Sequence, residues 1–140
     1  IPALTNYIQM QEQVVESLLD AIRKAVSCEL DFIMIGGGLN TGRIANICDK
    51  VEVLAYTADP EQVKSIVEST VQRIDSVDQL LAGYSVYGST TPDVETLKQT
   101  VGIAVEAGVK HVSFYNYGIM PPDHLDWVRQ AIRQMDEITG

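Results

Sequence analysis

Val51-Glu52-Val53-Leu54-Ala55-Tyr56 is followed, from Asp59-Pro60-Glu61, by a stripe of apolar or small residues at Val63, Ile66, Val67, Thr70, Val71 and Ile74. The first run is rich in β-branched residues and short enough for a strand, and the second repeats at helical spacing. Asp59-Pro60-Glu61 is a helix start. Proline needs no amide partner in the first turn, and an acid there favours the positive end of the helix. Residues 51–74 therefore read as one strand, loop and helix.

The same unit recurs twice toward the carboxyl end. Leu80 to Tyr87 reads as a strand, and Thr91-Pro92-Asp93 opens a helix through Val94, Leu97, Val101 and Val105 that Gly108 stops. His111 to Tyr115 reads as a strand, and Pro121-Pro122-Asp123 opens a helix through Leu125, Val128, Ile132 and Met135. Pro60, Pro92 and Pro122 stand 32 and 30 residues apart, about the length of one βα unit. Toward the amino end, Leu4 to Ser27 carries a helical stripe at Val14, Val15, Leu18, Leu19, Ile22 and Val26. Asp31-Phe32-Ile33-Met34-Ile35, closed by Gly36-Gly37-Gly38, is apolar on both faces, as a parallel strand covered on both sides is. The expected fold is α/β, with repeated βα units on a parallel sheet of four strands and five helices, forming one unit over residues 1–140.

Two architectures fit this pattern. One is the carboxyl-terminal half of a (β/α)8, or TIM, barrel. A complete barrel needs about 200 residues or more, and the chain has 140. The long first helix is preceded only by Ile1-Pro2-Ala3, which reads as the stump of a lost strand. An opening Ile in place of Met fits a processed product or an excised segment. The alternative is a small open doubly wound sheet.

Composition narrows the partners. The net charge of −9 and ten singly scattered basic residues argue against nucleic acid, which is bound through clustered Lys and Arg. No stretch reaches the roughly 20 apolar residues of a membrane helix, and no signal peptide is visible. Cys28 and Cys48 make no disulfide framework. They read as buried free thiols, which fit a reducing compartment such as the cytoplasm.

Five of the six tyrosines, Tyr56, Tyr84, Tyr87, Tyr115 and Tyr117, fall at or near the carboxyl ends of the expected strands. In parallel α/β folds ligands bind at that end, and a tyrosine offers a flat apolar face with a hydrogen-bonding tip. In β alternation Tyr115 and Tyr117 share one face and Asn116 takes the other. Gly36-Gly37-Gly38-Leu39-Asn40-Thr41-Gly42 is either a tight turn or a phosphate loop, although it has neither dinucleotide nor P-loop spacing. Asp59, Asp93 and Asp123 read as helix caps. Asp59, three residues past Tyr56, is the nearest candidate for a catalytic acid. No strand ends in an inward-pointing carboxylate on this reading, which places the main acid and base of any enzyme outside the chain. His111 and His124 fall at opposite ends of the fold and no His/Cys group has ligand spacing, so neither a metal nor another cofactor is expected. Trp127 reads as core packing.

Val112-Ser113-Phe114-Tyr115-Asn116-Tyr117-Gly118, with Asp123-His124-Leu125-Asp126-Trp127-Val128 after it and Ala104-Val105-Glu106-Ala107-Gly108-Val109 before it, resembles the last strand and helix of bacterial glycoside-hydrolase-like (β/α)8 barrels. The resemblance covers roughly the last forty residues. It implies that Tyr115, Asn116 and Tyr117 line a sugar-facing mouth. The expected function is thus part of such a barrel, binding a carbohydrate or similar polar ligand through Tyr56, Tyr87, Tyr115, Asn116, Tyr117 and Asn40. One alternative is a barrel lyase or isomerase that holds a phosphorylated metabolite on Gly36, Gly37 and Gly38. The other is a non-catalytic scaffold that pairs with a second copy of itself, where the first reading needs a missing amino-terminal half.

Overall fold

Each apolar run forms a strand, and each strand is followed by a helix. The structure, a computed structural model, describes residues 2–34 and 40–140. The elements are α1 (Pro2–Ala25), β1 (Asp31–Met34), α2 (Thr41–Ala45), β2 (Lys50–Leu54), α3 (Pro60–Val71), β3 (Leu80–Ser85), α4 (Val94–Glu106), β4 (His111–Tyr115) and α5 (His124–Thr139). Short 3-10 turns at Val77–Gln79 and Gly88–Thr90 flank β3. The expected strand ends at Tyr56 and Tyr87 lie beyond the ladder proper. Pairing nevertheless continues one residue past each strand, where Ala55 N donates to Gly83 O and Val86 N to Tyr115 O.

The four strands are parallel and stand in the order β1-β2-β3-β4. A doubly wound sheet reverses its strand order at a switch point, and this order has no reversal. The doubly wound alternative therefore does not describe these strands. Because parallel crossovers are right-handed, an unreversed order puts the helices on one face.

That face holds the core. Val51, Val53, Leu80, Ala82, Tyr84 and Val86 are buried against Val63, Val67, Leu97, Val101 and Ala104 of the helices. Tyr84 OH donates to Thr100 O on α4 at 3.1 Å. Tyr84, one of the five tyrosines near strand ends, thus belongs to the helix side, and its ring centroid lies 6.2 Å from that of Phe114. Trp127 packs against this core as expected, and it also stacks on His124 with ring centroids 3.7 Å apart.

Helix starts differ in detail from the sequence expectation. Of Pro60, Pro92 and Pro122, only Pro60 lies inside the first turn, with Asp59 as N-cap accepting from Glu61 N at 3.0 Å. Asp93 caps α4 through Thr96 N, so Pro92 precedes the cap and the helix starts at Val94. Asp123 has helical dihedrals and no capping bond, since Pro121 and Pro122 already turn the chain, with His124 N donating to Pro121 O. Gly108 stops α4 with φ of 89°, a conformation that costs other residues strain.

The stripe of α1 behaves unlike the others. Leu19 alone joins the core, while Val14 is 61% and Leu18 59% exposed. Arg23 on α1 and Leu30 N both donate to Asp49 Oδ2, which ties the end of this helix to the start of β1. Cys48 is buried as expected, but Cys28 is exposed because it lies in the connection after α1 rather than under it.

Candidate functional site

The register of the sheet decides what faces away from the helices. Phe32 pairs with Val51, Val53 with Ala82, and Ala82 with Val112, all on the helix side. In-register neighbours share a face and successive residues alternate. The opposite face therefore carries Ile33 from β1, Lys50, Glu52 and Leu54 from β2, Leu81, Gly83 and Ser85 from β3, and His111, Ser113 and Tyr115 from β4. No helix of the described chain covers it.

Three tyrosines meet on this face at the carboxyl end of the sheet. The Tyr115 ring centroid lies 6.0 Å from that of Tyr56, with the planes 28° apart, and 6.4 Å from that of Tyr87. Both separations fall in the range of favourable offset ring pairs. Tyr115 is 46% exposed. Burial raises the Tyr56 phenol above its ordinary range, and the nearby Glu52 charge adds to that shift.

Glu52 lies beside the tyrosines on the floor of a shallow cavity of about 470 Å³ whose walls include Ile33, Leu54, Tyr56, Ser113 and Tyr115. Although it stands on the uncovered face, Glu52 is only 9% exposed. The Ser113 hydroxyl donates to its Oε1 from β4, two strands away. Gly83 on the intervening strand makes this possible. A Cβ there would come within 2.4 Å of Glu52 Oε1 and 3.2 Å of Ser113 Oγ. Deeper on the same face, Lys50 Nζ donates to His111 Nε2 at 3.3 Å.

Sequence reasoning passed over Glu52 because it sits inside a strand rather than at its end. The signal was present in Val51-Glu52-Val53, a charge within an otherwise apolar strand. Asp59 is instead exposed and engaged as the cap of α3. Asn116 organises the turn after β4, where its Oδ1 accepts from Gly118 N at 2.7 Å and its carbonyl accepts from Ile119 N and Met120 N. The Tyr115–Asn116 peptide bond is cis. Because the chain turns here, strand alternation stops at Tyr115, and Tyr117 is 78% exposed and outside the ring cluster.

Asn40 does not line the cavity beside the tyrosines. It precedes α2 and borders clefts along α1, shared with Glu12 and Ile8 or with Phe32 and Met34. Gly36, Gly37 and Gly38 lie outside the described residues. Gly42 is described, and it marks close packing, since a Cβ would meet Arg73 O at 2.4 Å.

His124, at the start of α5, donates through Nδ1 to Val86 O at 2.8 Å, whereas His111 begins β4. Among the described residues, no three His, Cys, Asp or Glu side chains are grouped to hold a metal ion, and no helix is long and apolar enough to cross a membrane. Comparison with protein-family models, with curated proteins and with solved structures finds no match.

Proposed function

We propose that the chain supplies half of a glycoside-hydrolase-like (β/α)8 barrel, whose mouth binds a carbohydrate or similar polyhydroxylated ligand. The observation that carries this reading is the cluster of Tyr56, Tyr87 and Tyr115 at the carboxyl ends of three neighbouring strands, beside the Glu52 cavity. Aromatic faces match the C–H faces of sugar rings, and a carboxylate accepts from their hydroxyls.

Two further features favour the half-barrel. The strand order is that of a singly wound sheet, and the face opposite the helices carries mixed polar and aromatic side chains, which suit a barrel mouth better than a surface in water. The other half of a parent barrel fits this sheet better than a second copy does. Among the described residues five helices flank four strands, so two copies would crowd ten helices around eight strands, where a (β/α)8 barrel has eight.

Ligand-observed NMR with glucose, galactose, mannose, N-acetylglucosamine and myo-inositol tests the binding reading. Saturation transfer to at least one sugar, lost in Tyr115→Ala, is the expected result. No transfer to any of them would count against it.

A further inference from the structure

The position of Glu52 is not explained by folding alone. A carboxylate held to 9% exposure on a face that no helix covers is costly to desolvate. Its one hydrogen bond among the described residues comes from Ser113 and reaches Oε1. Among the described residues Oε2 accepts no hydrogen bond, and Glu52 lines the cavity. Gly83 clears the space that lets the carboxylate lie across β3. One oxygen is thus held by Ser113, and the carboxylate borders the cavity.

We infer that Glu52 is the ligand-contacting carboxylate of this site, with Ser113 as its positioning residue. Resting on the carbohydrate reading, the inference assigns distinct roles within it. Tyr115 and Tyr56 provide apolar contact area for a sugar ring, and Glu52 Oε2 accepts a hydrogen bond from one ring hydroxyl. Glu52 therefore sets which sugars bind, because a ligand lacking that hydroxyl leaves the carboxylate without its partner.

The test is titration calorimetry on the 140-residue chain, using the sugar that binds best in the panel above and its singly deoxygenated analogues. In the native chain one analogue should bind roughly ten- to hundredfold more weakly than the parent sugar, the value of a hydrogen bond to a charged group. In Glu52→Gln the parent sugar should weaken by a similar factor and the penalty for that analogue should shrink, while Tm stays within about 2 °C of the native value. Ser113→Ala should give a smaller loss of the same kind, since it frees the carboxylate to rotate.

Native affinity in Glu52→Gln, with loss in Tyr115→Ala, overturns the assignment and leaves the carbohydrate reading standing. A large fall in Tm for Glu52→Gln also overturns it, because the carboxylate is then a structural tie between β2 and β4. If no sugar binds the native chain, the carbohydrate reading fails and the assignment fails with it.

Discussion

Glu52 on β2 and Ser113 on β4 are hydrogen-bonded over a strand that lies between them, and the residue under their contact is Gly83. The pair is 61 positions apart in the chain. It fixes a carboxylate on the uncovered face of a parallel sheet, within the same cavity as Tyr56 and Tyr115.

Gly83→Ala should break that pair. The new Cβ would lie 2.4 Å from Glu52 Oε1, so the carboxylate must swing away from Ser113. Overpacking of this kind costs about 1–3 kcal/mol. Denaturant unfolding should show a loss in that range, and sugar binding should fall as it does in Glu52→Gln. Native stability together with native binding would mean that the carboxylate adjusts freely.

Tyr84 anchors β3 to α4 from the other face. Tyr84→Phe keeps the ring and removes the bond to Thr100 O, which should cost about 1 kcal/mol. Tyr84→Ala also empties a core position and should cost about 3–5 kcal/mol. Chemical denaturation of the two variants separates the hydrogen bond from the packing. Sugar binding should survive Tyr84→Phe, since that side chain does not face the cavity.

Alkaline pH should unfold the chain through its buried phenols. Burial raises Tyr84 far above the ordinary value of about 10, and Tyr56 shifts the same way through burial and then the Glu52 charge. Groups raised in the folded state lend stability that is complete below about pH 10 and is lost as pH climbs toward their folded values. Absorbance at 295 nm against pH should show a late class of tyrosines that ionises only with unfolding. Tyr84→Phe should shrink the late class.

Acid should weaken the chain for the opposite reason. Asp93 is held below the usual carboxylate range by the Thr96 amide, Asp49 by the Leu30 amide and Arg23, and Asp78 by Lys110. Their contribution is present above the ordinary aspartate value of about 4 and is lost as pH falls through the lower folded values. Asp93→Asn, which can still cap the helix, should flatten the acid limb of a Tm-against-pH curve more than it lowers Tm at neutral pH. An unchanged acid limb would remove Asp93 from this account.

Much of this fold was legible along the chain. Strand and helix periods, the acids before α3 and α4, and the glycine that ends α4 are local signals, because backbone geometry and capping act over a few residues. The same locality placed Tyr56, Tyr87 and Tyr115 at strand ends, where a parallel sheet opens to ligands. Other features depended on assembly. Whether a tyrosine faces the helices, as Tyr84 does, or the open side, as Tyr87 does, follows from register. The stripe of α1 was readable as apolar, yet no local rule says what would cover it, and in the described chain only Leu19 is buried. Glu52 was not singled out along the chain, because only three strands in register bring Ser113 and the gap at Gly83 to its carboxylate. A sequence specifies each residue's own conformational preference, whereas a site depends on distances between residues far apart in the chain, and only the packed sheet sets those distances.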